Sequence, residues 1–411
     1  MLAKTLTEDA LVKFPPATHT GSAFLLGFAI LFPAVNYFLY YSVIAFFVGL
    51  EIIVKLPTSK RLYIYSALIL FFAIISLPKI VFYASISDIK EFGKLILFLA
   101  LCVLVRVNPD MGRVKSILFV VILIDFLFTI LQWISFDHPL LSFYQSFLHT
   151  ENHIQGSLNI TSVRGLGIFA DTAEHASVIL IIYCFFLSQL RHRLSPGQSA
   201  LSVALCVMLL LLTQSKTGII ALVFSIPLAL YCAAQFFSKL SLTLFICALA
   251  TFAVSYISDD AIQKFEQLYY LYEYGFELSS FKERQMIWAQ VIATSLNSNP
   301  LLILFGAGRG ALEESGLQSS VFDNDLVYLL NAYGVFGILM FISAYFIGIK
   351  KLNKFHSPRT SWLFYVLLLM PIIGFATDFI SSLKPLVVIG LIFANATYKS
   401  GIVQMNRATS Q

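Results

Sequence analysis

Apolar residues run through this chain in long blocks, neither alternating nor forming a single helical stripe, and short polar breaks separate the blocks. A helix crossing about 30 Å of hydrocarbon needs roughly 20 mostly apolar residues. Twelve segments meet or approach that requirement: 20 to 35, 37 to 54, 62 to 78, 92 to 106, 116 to 135, 174 to 190, 198 to 214, 217 to 235, 240 to 257, 324 to 348, 361 to 379 and 383 to 398. Read as one tilted helix, the first two give eleven spans, but Pro33 and Asn36 interrupt them where a tight turn is needed, which favours twelve. The pattern therefore predicts an all-α protein, a polytopic membrane bundle of about 12 helices.

Charge orients the bundle, because short cytoplasmic loops are enriched in Lys and Arg. With the N-terminus inside, Lys60, Arg61, Arg113, Lys115, Arg191, Arg193, Lys350 and Lys351 face the cytoplasm, and most acidic residues fall on the other side. Both termini are then cytoplasmic. The leader, MLAKTLTEDALVKFPPATHTG, has no small-residue cleavage site and is expected to remain. Two connections are long, 136 to 173 and 258 to 323, and both are outer by this topology. Loops of such length are usually functional or disordered. The organisation read from this is an N-terminal helical part, 1 to 257, a long outer loop, 258 to 323, and C-terminal helices, 324 to 411. Within the second loop, FKERQMIWAQVIATSLNS spaces Phe281, Met286, Ile287, Val291 and Ile292 as a helix lying on the interface, stopped by Pro300.

Composition removes the alternatives. Hydrophobic residues make up 58% and charged residues 12% of 411, whereas a soluble domain carries roughly 45–50% and about 25%. Disorder is excluded by 39 Phe and 19 Tyr. The net charge of +5 has no soluble face on which to cluster, so no nucleic-acid partner is expected. Five cysteines, Cys102, Cys184, Cys206, Cys232 and Cys247, all lie in apolar runs and read as packing residues. No His, Asp or Glu set has ligand spacing, so no metal and no cofactor is expected.

Candidate chemistry lies at the outer ends of the segments. Arg164, Lys216, Lys282, Arg284 and Arg309 are basic residues outside the cytoplasmic set, and an anionic lipid headgroup is their natural partner. Solvated loop positions or pairing with outer acids are the plainer alternatives. Glu174 and His175, with Asp171, enter one descending helix, and Asp323 and Asp325 enter another, positions that hold a side chain firmly while leaving it wet. Helix capping is the competing explanation for Asp323 and Asp325. Asp125 and Asp378 are acids in or near apolar segments, with no basic partner at helical spacing.

Four motifs resemble one family. DNDLVYLLNAYGVFG (323 to 337) is similar to the pattern of O-antigen ligases and of Wzy-type O-antigen or exopolysaccharide polymerases, with Asp323, Asn324, Gly334 and Gly337 in the matching places. RQMIWAQVIATSLNSNPLLILFGAGRG (284 to 310) supplies Arg284, Trp288, Asn299, Pro300, Gly306 and Gly308, LLTQSKTGIIAL (211 to 222) supplies Lys216, and RGLGIFADTAEHASVIL (164 to 180) supplies Arg164 and the acidic helix entry. The chain departs from the family in two places. Ligases usually carry His where Asp323 stands, which favours a polymerase, and the Arg with Gly eleven residues on is replaced by Arg164 with His175 and Arg284 with Ser295.

The resemblance implies a membrane-embedded fold of the GT-C type in a bacterial inner membrane, acting on undecaprenyl-diphosphate-linked oligosaccharide at the periplasmic face. It implies metal-independent glycosyl transfer, with Arg284, Arg164 and Lys216 clamping the pyrophosphate. Asp323 would act on the acceptor hydroxyl, with Glu174 as the alternative base, and Asn324, His175 and Asp325 would contact glycan. Membrane lipid, a chain-length regulator and a flippase are the implied partners. A ligase acting on lipid A core and a lipid-linked sugar flippase or transporter are the competing functions.

Overall fold

The structure, a computed structural model, describes residues 21–32, 37–54, 57–83, 85–105, 111–134, 165–169, 172–233, 279–317, 324–354, 360–376, 379–380 and 382–397. Every regular element among them is helical. The first half contributes α1 (Gly21–Leu31), α2 (Tyr37–Val54), α3 (Ser59–Tyr83), α4 (Ile86–Leu99), which runs on as a π-helical turn, Ala100–Leu104, and α5 (Met111–Ile134). It continues with α6 (Thr172–Arg191), α7 (Pro196–Leu212) and α8 (Lys216–Ala233). The second half contributes α9 (Ser279–Leu296), α10 (Pro300–Phe305), α11 (Gly308–Glu314), α12 (Asp325–Lys354), α13 (Ser361–Ala376) and α14 (Leu383–Thr397).

Eleven of the expected segments coincide with these helices; the segment 240 to 257 lies outside the described residues. Segments 20 to 35 and 37 to 54 are two helices. Among the described residues four helices are long and apolar enough to cross a membrane: α3, α5, α6 and α12. Leu70, Ile74 and Phe346 are exposed on α3 and α12, as on helices that face lipid, whereas α6 is enclosed by other helices.

Helix α6 is the axis of the bundle. Every residue from Glu174 to Leu190 is buried, and α7, α8, α13 and α14 pack around it. A helix apolar on all sides is stable only where neighbours enclose it. Helices α1, α5 and α14 complete the same core, so residues from both ends of the sequence share it.

Helices α9, α10 and α11 gather on α12. Trp288 and Val291 of α9 pack with Leu312, Val327, Tyr328, Leu329 and Ala332. The inward face of α9 differs from the expected one: Trp288 points in, while Met286 is 62% exposed. Pro300 also does more than stop a helix. It opens α10 at the first helical position, where its missing N–H costs nothing, and the Asn299 side chain accepts from the N–H of Leu301 at 3.0 Å.

Helix α12 is broken at Gly334, with φ 65° and ψ −164°. The turn between α10 and α11 fills the break. Gly306, at φ 98°, lies so close to Ala332 and Tyr333 that a side chain on either Gly306 or Gly334 would overlap backbone.

Candidate functional site

Two polar clusters occupy the bundle. The first holds the segment 165–169 against α5 and α6. His175 is 0% exposed, and its Nε2 lies 2.7 Å from Asp125 Oδ2 while its Nδ1 lies 3.2 Å from the carbonyl of Gly165. Both ring nitrogens thus face oxygen atoms, one a carboxylate and one a backbone carbonyl. Asp125 Oδ1 accepts from the N–H of Ile168 at 3.0 Å, and Gln132 clamps Gly167 through both its N–H and its carbonyl. Phe169 stacks on His175 at 4.6 Å, and the Lys384 ammonium of α14 sits 4.5 Å from the centre of the same Phe169 ring. The N–H of Gly165 donates to the carbonyl of Leu212 at 3.1 Å, in the turn that leads to Lys216. Buried charges persist only when paired and hydrogen-bonded, and the Asp125 and His175 pair meets both conditions.

The second cluster joins α3, α4, α11 and α12. Lys79 donates to the carbonyl of Ala332 at 2.8 Å, two residues before the break in α12, and lies 4.0 Å from Asp88. The Asp88 carboxylate accepts from the backbone N–H groups of Arg309 and Gly310 at 2.9 and 3.2 Å, at the start of α11. Glu91 accepts from Lys94 at 2.8 Å and from the Tyr328 hydroxyl at 2.9 Å, and pairs with Arg309 at 3.2 Å. Glu91, Lys94 and Tyr328 form the polar part of a cleft of about 320 Å³ whose other walls, including Phe72, Phe98, Met340 and Phe341, are apolar. Glu91 is the hub of this cluster. Glu91→Gln should lower the melting temperature of the purified protein more than Lys94→Gln, because it strips the carboxylate from two cations whereas the second change leaves Arg309 still paired. Equal shifts would show that Glu91 is not the hub.

Each expected site residue can now be located. Arg164, Asp323, Asp171 and Asp378 lie outside the described residues. Lys216 opens α8 and is half-buried; Arg284 is half-buried on α9. These two stand on different groups of helices: α8 packs on α6, α7 and α13, and α9 packs on α12 with α10 and α11. Glu174, His175 and Asp325 were expected to be wet, yet all three are buried. The cause is that the segment 165–169 folds over α6 and that Asp325 Oδ1 accepts from the N–H of Ile380 at 2.8 Å, under the turn between α13 and α14. Asn324 is the cap of α12: its Oδ1 accepts from the N–H groups of Leu326 and Val327, and its Nδ2 donates to the carbonyl of Phe375 at 3.0 Å. Capping therefore falls on Asn324, one residue from each of the acids for which it was weighed.

The sequence reading missed Lys79, Asp88, Glu91, Lys94 and Lys384. Lys79, Asp88 and Glu91 sit in the short stretch between the segments 62 to 78 and 92 to 106, with Lys94 just inside the second; continuing α3 to Tyr83 and starting α4 at Ile86 folds them inward. The only available signal was a density of alternating charge, ISDIKEFGK, at helical spacing. Asp125 was read as isolated because its partner is 50 residues away.

No family model matches the chain, and no curated protein matches it significantly. Its class follows from its own features. Among the described residues every regular element is helical and four helices are long and apolar enough to cross a bilayer, three of which, α3, α5 and α12, carry exposed apolar side chains; these are the features of a membrane protein. Among the described residues no group of three His, Cys, Asp or Glu side chains is placed to hold a metal ion.

Proposed function

We propose that the protein polymerises undecaprenyl-diphosphate-linked oligosaccharide repeat units into O-antigen or exopolysaccharide by glycosyl transfer at the periplasmic face of a bacterial inner membrane. One observation carries the reading. The four stretches that resemble the polymerases and ligases in sequence pack in pairs through their own glycines. Gly165 bonds to Leu212 and Gly218 closes on Ala176, which joins the first pair; Gly306 interlocks with Gly334, which joins the second. Segments far apart in sequence thus share two compact junctions.

The chemistry follows from charge. An acceptor hydroxyl attacks the anomeric carbon of a second lipid-linked glycan; the bond from that carbon to the diphosphate oxygen breaks, the electron pair leaves with the diphosphate, and the hydroxyl proton passes to a carboxylate. Fixed cations at the departing diphosphate stabilise the transition state more than the ground state. Arg284, Arg164 and Lys216 are assigned to that role. Arg164, outside the described residues, precedes Gly165 in sequence, and Gly165 is bonded to the turn that leads to Lys216. Asp323 takes the proton, with Glu174 as the alternative. His175, Asn324 and Asp325, whose polar atoms are bonded within the fold, act by holding backbone in place and not by touching glycan. The apolar cleft beside Glu91 and Lys94 suits a substrate with a long hydrocarbon tail.

A transporter has one point in its favour, the discontinuity of α12 at Gly334, since broken helices line transport sites. Here the backbone of Leu304 and Gly306 fills the break at Gly334, and the cleft that the neighbouring Tyr333 and Gly337 line is mostly apolar, unlike a polar transport site, which weighs toward the enzyme. Polymer ladders from cells carrying Arg284→Ala, Arg164→Ala or Asp323→Ala at normal expression should be lost. A wild-type ladder from all three would overturn the assignment. Deletion should leave surface glycan of a single repeat; absence of any glycan on lipid A core would indicate a ligase instead.

A further inference from the structure

At the opposite, basic end of the bundle lies a second groove, between α8 and α13, with a volume of about 550 Å³. We infer that it binds one anionic glycerophospholipid, with Arg191 holding the phosphate and the groove holding an acyl chain. The inference rests on the membrane class of the protein alone and is independent of glycosyl transfer.

Arg191 ends α6 and lies at one end of the groove. Its guanidinium donates to the Tyr365 hydroxyl at 3.1 Å and to the Tyr231 hydroxyl at 2.7 Å, and it stacks on the Tyr231 ring at 4.5 Å. Both partners are neutral. Among the described residues no carboxylate pairs with Arg191, so its charge is oriented by two tyrosines without being neutralised. Two hydrogen bonds occupy part of a guanidinium that carries five N–H donors, leaving others for a bidentate phosphate. A carboxylate-free arginine, half-buried against aromatic rings, is favoured at a bilayer surface when a lipid phosphate supplies the counter-charge.

Away from Arg191 the lining is hydrocarbon: Phe224, Pro227, Leu228, Leu368 and Ile372. From position 224 to 231 on α8, and from 365 to 372 on α13, the helices rise about 10 Å each. Cation at one end and hydrocarbon along the rest is the layout of a headgroup above an acyl chain. Pro227 lies inside α8 and Pro371 inside α13, and each removes one helical N–H. Phe224 and Tyr231 are exposed, so the groove opens sideways toward lipid. The other basic residues of this end, Arg193 beside Arg191 and Lys350 and Lys351 on α12, raise the local positive potential, and by the positive-inside rule this end faces the cytoplasm.

The test uses the full-length protein, stripped of lipid in detergent and offered equal amounts of phosphatidylglycerol and phosphatidylcholine, with bound lipid counted by native mass spectrometry. The first lipid retained should be phosphatidylglycerol by about fivefold, the preference one basic residue gives near an anionic headgroup. Arg191→Gln should remove that preference. Leu228→Trp, which fills the hydrocarbon run and leaves the guanidinium in place, should cut phosphatidylglycerol retention. Equal retention of the two lipids by the wild type, or a preference that survives Arg191→Gln, would overturn the inference. Should Arg191→Gln fail to fold, unchanged retention by Leu228→Trp overturns it as well.

Discussion

Replacing Gly334 by alanine should prevent recovery of folded protein. At φ 65° and ψ −164° the residue occupies a region that only glycine visits freely, and forcing another residue there costs of order 1–3 kcal/mol. The steric term adds to this. An alanine Cβ would lie 2.6 Å from the Gly306 nitrogen and closer still to the Leu304 carbonyl, both of them backbone atoms that cannot rotate away. Relief would require the turn between α10 and α11 to lift off α12. That movement would carry the N–H groups of Arg309 and Gly310 from the buried Asp88 carboxylate and leave it with Lys79, 4.0 Å away. A strained backbone would thus become a buried carboxylate short of hydrogen bonds, which is the more expensive fault. Gly93→Ala is the matched control: its Cβ would meet nothing within 4 Å, and alanine in a helix gains up to ~1 kcal/mol over glycine. Size-exclusion profiles and thermal melts in detergent separate the outcomes. A Gly334→Ala protein that is monodisperse and melts with the wild type would show that the interlock is not needed.

The sequence made the helices legible because apolar block length is a one-dimensional quantity. Their ends were less so: charge in the stretch SISDIKEFGK looks like a loop until α11 is present to receive Asp88 and Glu91. The candidate site was legible in its glycines and less so in its carboxylates. Gly306 and Gly334 mark backbone contact, a property of the residue itself, so a motif can carry it. Whether Asp325 or His175 faces water or protein depends on what folds over it: the turn before α14 is far from Asp325 in sequence, and the segment 165–169, though near His175, is held down by Asp125 and Gln132 of the distant α5. For the same reason Asp125 looked solitary. An intramembrane acid can be judged only with its partner, and that partner need not share its helix.

That pairing gives the second large effect. Asp125→Ala should destabilise the protein by about 3–5 kcal/mol, the usual result of removing one member of a buried ion pair. The loss has three parts: His175 keeps its place with no carboxylate at Nε2, the N–H of Ile168 loses its acceptor, and the segment 165–169 is left with the Gln132 clamp, the bond to Leu212 and the contact of the Gly165 carbonyl with His175 Nδ1. Asp125→Asn should cost less, since its amide oxygen can still accept from Ile168 or from the ring. His175→Ala alone should also destabilise, by leaving Asp125 buried and unpaired, while the double change to alanine should cost less than the sum of the two, because no charge remains to be stranded. Stability alone does not separate a core tie from a positioning role, so a local readout is needed. Leu166 is buried, and in a background with the native cysteines replaced, Leu166→Cys should resist a membrane-impermeant thiol reagent. Adding Asp125→Asn should expose it to the reagent while the bundle stays folded, and ladder length should fall in parallel, because the segment 165–169 would no longer be fixed. Labelling that stays slow, with polymer lost, would place the role of Asp125 elsewhere than in holding this segment; additive single and double effects would show that the two side chains do not act as a pair.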